Sequence, residues 1–252
     1  METLRLINDG PKGPYHNMAA DEAIAISVGG GKSPPTLRLY GWRPSAVSIG
    51  YFQELEEEVD LGFCAAHGIM VVRRITGGGA VFHGSGEVTY SLAAPLGDPA
   101  IPQDVQASYG VICGPIVSAL RKLGADARFR PVNDIEVGGR KVSGNAQTRR
   151  FGAVLQHGTI LVSLDRSLLP SLRVKKAKLE GKGVGAVADR VTTLKDVFGG
   201  EFGIPSLARV LAQEFQNGFG CAMREAPLTA VEVGMIPTLM EKYSSRDWLW
   251  RR

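Results

Sequence analysis

The densest chemistry in the chain sits in eleven residues, RRITGGGAVFH, from Arg73 to His83. An apolar strand, Ile69 to Val72, leads into the guanidiniums of Arg73 and Arg74. The Thr76 hydroxyl, Gly77, Gly78 and Gly79 follow, then Val81 and His83. Arginine offers forked donors matched to carboxylate and phosphate oxygens. Consecutive glycines admit φ > 0 and let a backbone pass close to another group. A strand feeding such a loop reads as a place where main-chain N–H groups hold an anion. An ordinary tight turn with solvated arginines uses the same residues, so the loop alone leaves both readings open.

A second constellation is NDIEVGGRKVSGNAQ, Asn133 to Gln147. Asn133 and Asp134 are adjacent on a strand, so their side chains take opposite faces and do different jobs. Lys141 follows a Gly138–Gly139 hairpin turn, and Ser143, Gly144 and Ala146 are small enough to leave a ligand room near its ammonium. A lysine so placed serves as a point charge on a phosphate or acyl oxygen; a surface lysine beside a turn is the plainer reading. The third is LQHGTIL, where His157 and Thr159 share a strand face and Gly158 admits a neighbouring backbone. A hydrogen-bonded core histidine would have the same signature.

The elements that must position these groups are legible in the periodicity. Leu4–Ile7, Thr36–Tyr40 and Ala46–Tyr51 read as strands, and Val88, Tyr90 and Leu92 alternate with polar residues in another. Asn17 is expected to cap a helix with Ala20, Ala23, Ile24 and Val28 on one face and Asp21 and Glu22 near its positive end. Residues 54–67 read as one helix closed by Gly68. Pro102 to Leu123 gives the longest helical pattern, with Pro115 kinking it or marking its true start. A basic stretch from Arg166 to Lys182 precedes two tail helices, one opened by Pro205 and Ser206, the other near Leu239 to Tyr243 after Pro237. The pattern predicts one domain with a mixed, mostly antiparallel sheet.

Composition narrows the partners. The net charge of +4 suits an anionic ligand or an acidic protein, and no aromatic–basic interleaving points to nucleic acid. No apolar run approaches the roughly 20 residues that span a bilayer, and METLRLINDGP lacks a signal-peptide pattern. Cys64, Cys113 and Cys221 lie far apart without CxxC spacing, which argues against a zinc site or a disulfide framework and for a reducing cytoplasm. Monomer is the default state.

Taken in order, RRITGGGAVFH, NDI…GRKVSGNAQ, QHGTIL and KGV…DRVTTL resemble the lipoate–protein ligase family, as do NMAADEAI near the start and the terminal EKYSSRDWLW. The resemblance covers essentially the whole chain. It implies an α+β, class II synthetase-like catalytic domain of the biotin/lipoate ligase fold over residues 1–252, with helices on one side of the sheet. It also implies ATP-dependent activation of lipoate or octanoate to an acyl-adenylate, with magnesium, and transfer to a lysine of an acidic lipoyl carrier domain such as dehydrogenase E2 or the H protein.

By the same resemblance Lys141 would contact the acyl carbonyl and α-phosphate oxygens, and Asp134 would orient or deprotonate the incoming lysine. Arg73, Arg74, Thr76 to Gly79, Val81 and His83 would line the acyl and phosphate region. Asn133 and Asp134 would sit by phosphate and magnesium. Gly144, Ala146, His157 and Thr159 would complete the pocket, and Lys178 and Lys182 would cover the adenylate.

A related group on this fold moves octanoyl groups without ATP through a cysteine thioester, which needs a thiol beside the acyl carbonyl. ADARFRPV before Asn133 and TILVSLD after His157 contain none, which favours the ligase reading, while VTYSL, GNAQTRR and VLQHGTIL lean toward the transferases. Fifty-six residues follow Asp196, too few for the accessory domain many ligases carry, so a separate accessory protein is the other expectation.

Overall fold

The computed structural model describes residues 1–173, 187–200 and 202–251. Among these, eleven strands form two sheets. They are β1 (Thr3–Lys12), β2 (Thr36–Trp42), β3 (Ala46–Ile49), β4 (Met70–Arg73), β5 (Val81–His83), β6 (Glu87–Pro95), β7 (Ala127–Arg130), β8 (Asp134–Val137), β9 (Arg140–Arg150), β10 (Ala153–Leu161) and β11 (Ala222–Glu225). The large sheet runs β11-β1-β2-β6-β10-β9-β8-β7, parallel only across β11–β1–β2. The small sheet runs β4-β3-β5.

Period-two alternation gives the large sheet two apolar faces, and both are covered. Leu37, Leu39, Tyr90, Leu92 and Val154 pack against Ile112, Ile116 and Leu120 of the helix Val105–Lys122 and Leu207, Leu211 and Phe215 of the helix Ile204–Phe219. On the other face, Tyr40, Trp42, Ala93 and Leu155 meet Met18, Ile24 and Val28 of the helix Pro14–Gly29, backed by Ile236 and Tyr243 of the helix Ala230–Ser244. The sheet is mixed and mostly antiparallel as expected; the helices lie on both sides of it rather than one. No helix among the described residues is long and apolar enough to cross a membrane.

Several local expectations shift. The first helix starts at Pro14, a residue pre-set for the first helical position. Asn17 therefore lies inside it, donating to the carbonyls of Lys12 and Gly41. Residues 54–67 split into Leu55–Glu58 and Leu61–Ala66, because Val59 bridges Leu172 and Asp60 caps the second piece through Phe63 N–H at 2.9 Å. The helix Val105–Lys122 runs through Pro115, which nests against Gly218, where a Cβ would come within 2.8 Å of the ring. The last long helix begins at Ala230, well before Pro237, under a Thr229–Glu232 capping box. In the basic stretch Arg166 pairs with Asp196 at 2.7 Å; Lys175, Lys176, Lys178 and Lys182 lie outside the described residues.

Candidate active site

The inner face of the small sheet is set against β2, β6, β9 and β10, and a narrow cavity of about 120 Å³ separates them. Arg74, Gly78, Gly79, Val81 and His83 line it from one side, and Asn133, Lys141, Gly144, Ala146, His157 and Thr159 from the other. The first motif thus meets the second and third across a single chamber. At Ala80, Val81, Lys141, Gly144 and Thr159 the chamber borders a groove of about 920 Å³ that also takes in Asp134, Ser143 and Arg190.

Lys141 stands at this junction. Its ammonium lies 2.6 Å from Asp134 Oδ1, and its side chain is 38 % exposed. A Cβ on Gly144 would come within 2.5 Å of both Cε and Nζ of Lys141. The small residues beside the lysine therefore make room for the lysine itself, not for a ligand. Asn133 and Asp134 do diverge, but not by strand alternation: Asn133 lies in the turn before β8, which begins at Asp134. Asn133 lines the chamber, its amide nitrogen donating to Asn145 O, whereas Asp134 lines the groove. The pair does not converge on one metal position, and Asp134 alone keeps that candidacy. No group of three or more His, Cys, Asp or Glu side chains among the described residues is placed to hold a metal ion.

Arg74 is buried and spends all its donors on the protein. It binds Thr76 Oγ1, the oxygen and hydroxyl of Ser48, and the carbonyls of Gly77 and Gly79 at 2.7–3.1 Å. A guanidinium has five N–H donors and these five bonds exhaust them. Desolvation brings it down to about 10. Arg74 therefore pins the triple-glycine turn and has no donor left for a phosphate. Gly78, at φ +91°, supplies the left-handed step in that turn. Arg73 lies outside the chamber altogether, with Thr76 and Gly77 behind its wall.

His157 bridges two walls. Its Nδ1 lies 3.2 Å from Asp21 and its Nε2 2.7 Å from Thr76 Oγ1. A carboxylate only accepts, so Nδ1 carries the proton and Thr76 donates to Nε2. Asp21 also accepts from Arg38, Tyr40 and Ser91. Burial alone would raise its carboxyl, but the His157 hydrogen bond and the Arg38 charge outweigh it and the net shift is downward. Desolvation lowers His157 more than Asp21 raises it. His83 stacks on Trp42 at 3.9 Å and binds Ser48 and Glu87 at 2.8 and 2.7 Å.

The sequence read Asp21 as a helix-terminus charge, but packing makes it the buried anchor of the site. Met18, Tyr40, Trp42, Ser48, Thr89 and Asn145 also line the chamber. In the sequence none of them stands out as a site residue, and Thr89 falls on the polar face of its strand, because which strand face borders the chamber is set only when the two sheets meet.

These shifts give stability a definite pH sign. Unfolded His157 takes up a proton as pH falls through 6.5 while the folded ring resists, so the unfolded chain binds more protons and stability drops. Asp21, lowered from 3.8, adds loss of the same sign further down. Thermal scans from pH 7.5 to 5.5 should show a falling midpoint, with a shallower slope in His157→Asn. An equal slope in the two proteins counts against a neutral buried ring.

Residues 13–216 match the lipoyl protein ligase A/B catalytic domain. The chain belongs to that family. It is 38 % identical to the octanoyltransferase LipM of Kyrpidia tusciae, each protein covered over 100 % of its length. It is 33 % identical to LipM of Staphylococcus aureus, over 100 % of this chain and 99 % of the relative. Among solved structures, the bipartite lipoate protein ligase of Thermoplasma acidophilum, studied with its E2 lipoyl domain, superimposes with a TM-score of 0.85 at 32 % identity, covering 99 % of this chain and 96 % of that one. A lipoate–protein ligase A bound with ATP gives 0.84, also at 32 % identity, with 99 % of each covered. The family assignment makes the chain an enzyme of the lipoate/biotin ligase–transferase group, with the α+β fold expected from the motifs.

Proposed function

We propose that the chain joins an octanoyl or lipoyl group to a lysine of an acidic lipoyl carrier domain, the acyl group arriving at that lysine as an adenylate made from ATP. The observation that carries this reading is the position of Lys141 where a narrow chamber adjoins a larger groove of mixed polar and apolar lining. In this reading the acyl tail would occupy the chamber and the nucleotide the groove, with their mixed anhydride at the ammonium. The Ser143 hydroxyl, which lines the groove without a hydrogen-bond partner, favours an oxygen-rich ligand there. Asp134, ion-paired with Lys141 at 2.6 Å, is the carboxylate that would hold a hard cation of the kind that takes one carboxylate plus substrate phosphates. Magnesium held there would neutralise phosphate charge.

A carboxylate is a poor electrophile because attack on it would have to expel oxide, and adenylation replaces oxide with a phosphate leaving group. Lys141 then stabilises charge developing on the acyl and phosphate oxygens, while Asp134 orients the incoming amine. No thiol is required, and the cysteines agree with that. All three are buried and free, none lines chamber or groove, and burial holds Cys113 up to about 12. Thiols so protonated are poor nucleophiles. A Cys64→Ala/Cys113→Ala/Cys221→Ala variant should keep transfer within about threefold, since no covalent step passes through it; its loss from a folded variant would restore a thioester route.

The names of the relatives favour a second reading, in which octanoyl comes from a carrier thioester without ATP. One experiment separates the two. Purified chain and a lipoyl domain are given either the free acid with ATP and magnesium or an octanoyl thioester, and the domain is weighed by mass spectrometry. Modification with pyrophosphate release from the first mixture only supports adenylation; modification from the second only replaces it with direct transfer. Repeating the first mixture with an accessory subunit tests whether this single catalytic domain needs one, as the bipartite neighbour suggests.

A further inference from the structure

Arg73 was expected to touch the ligand, yet it is buried behind the chamber wall among six backbone carbonyls. Three belong to the loop after β3, Gly50, Tyr51 and Gln53, at 2.7–3.1 Å. The other three are Trp248, Leu249 and Arg251 at the far end of the chain, at 2.8–3.1 Å. Trp248 returns a bond from its indole N–H to Arg73 O at 2.8 Å. One planar cation thus fastens two segments nearly two hundred residues apart in sequence.

Both segments bear on the chamber. The loop backs the triple-glycine turn directly, since Tyr51 N–H donates to Thr76 O at 2.8 Å. A Cβ on Gly50 would lie 2.1 Å from Gly78 O, so the two backbones touch. The terminal segment is tied to the helix Pro14–Gly29, which lends Met18 to the chamber lining and Asp21 to His157. Lys242 binds both oxygens of Glu22 at 2.7 Å and sits over the Trp248 ring at 4.2 Å, and Tyr243 donates to the same carboxylate. Glu22 adjoins Asp21, which grips His157.

We infer that residues Lys242–Arg251 form a hook that sets the spacing between the glycine-turn wall and the His157 wall, with Arg73 as its fastening and a positioning residue for acyl binding. The role in acyl binding rests on the function proposed above; the mechanical coupling does not. Lysine cannot replace Arg73, because a single ammonium with three donors cannot span six carbonyls in a plane. The hook acts on the chamber and not on the groove, so its loss should weaken capture of the acid more than the chemical step.

The test uses the full chain carrying Arg73→Gln, Arg73→Lys or Trp248→Ala, assayed well below each variant's unfolding temperature. Hydrogen exchange is read on peptides covering Thr76–Val81 and Gln156–Thr159, and KM for the acid is read apart from kcat. Exchange at least tenfold faster in both peptides is expected in all three variants, with KM raised about tenfold and kcat within about threefold, as for lost ground-state binding. Arg73→Gln combined with Trp248→Ala should add little to either single change, because they break one device. Unchanged protection of the glycine turn in folded Arg73→Gln overturns the hook. Loosened walls with wild-type KM overturn its role in acyl binding. Loosened walls in a protein whose wild type shows no acyl transfer from any donor leave the hook standing and reject the function proposed above.

Discussion

Lys141→Ala is expected to lower acyl transfer by about 100-fold or more while the protein still folds. One preorganised donor to a developing oxyanion is commonly worth about 3 kcal/mol, which sets that factor. The folded state has little to lose, since the side chain is 38 % exposed and its ion pair with Asp134 is itself partly solvated. Lys141→Arg should recover little, because a planar fork cannot occupy the strip over Gly144 where Cε and Nζ now lie. Single-turnover transfer to a lipoyl domain, alongside a thermal scan, checks both halves. Near-normal turnover in a folded Lys141→Ala protein would remove the lysine from the chemistry.

The second large effect is on stability. Arg38 is fully buried and holds Asp9 at 2.7 Å, Asp21 at 3.0 Å and the Asn17 side chain at 2.8 Å. Arg38→Met leaves the Asp21 carboxylate buried without its cation. Removing one partner of such a pair costs about 3–5 kcal/mol, and at about 2–4 °C per kcal/mol for a domain of this size the midpoint should fall by roughly 10 °C. Below that midpoint activity should drop as well, because Asp21 orients His157. A double change, Arg38→Met with Asp21→Asn, should recover much of the stability, since the stranded charge is gone. A drop of only a degree or two in the single variant would mean water reaches Asp21 and shares its charge.

The parts of the site that the chain announced are those with local causes. The Gly138–Gly139 turn and the alternation on β9 and β10 place Lys141 and His157 on neighbouring strands facing one chamber, where Ala146 and His157 are register partners. Asn133 and Asp134, read as strand neighbours, face different spaces because Asn133 belongs to the turn before β8. The misreadings have long-range causes. Arg73 and Arg74 are identical in the sequence, and each looked free to meet an anion. Their partners are main-chain carbonyls, and which carbonyls reach them depends on loops closing from elsewhere in the chain. Residues 54–67 have helical periodicity, yet Val59 is drawn into a bridge with Leu172 that no local window contains.

Sequence by itself determined the kinds of element, their order, the family they belong to and the residues able to carry charge or a proton. Backbone dihedral preference and the periods of strand and helix are local properties, and they are written in neighbouring residues. Tertiary structure alone decided which cations face the ligand and which are consumed by the protein. It turned Asp21 from a helix-end charge into a buried anchor, and it set Lys141 where the chamber opens on the groove. Those outcomes depend on desolvation and on hydrogen-bond partners from distant segments, and neither exists until the chain has folded.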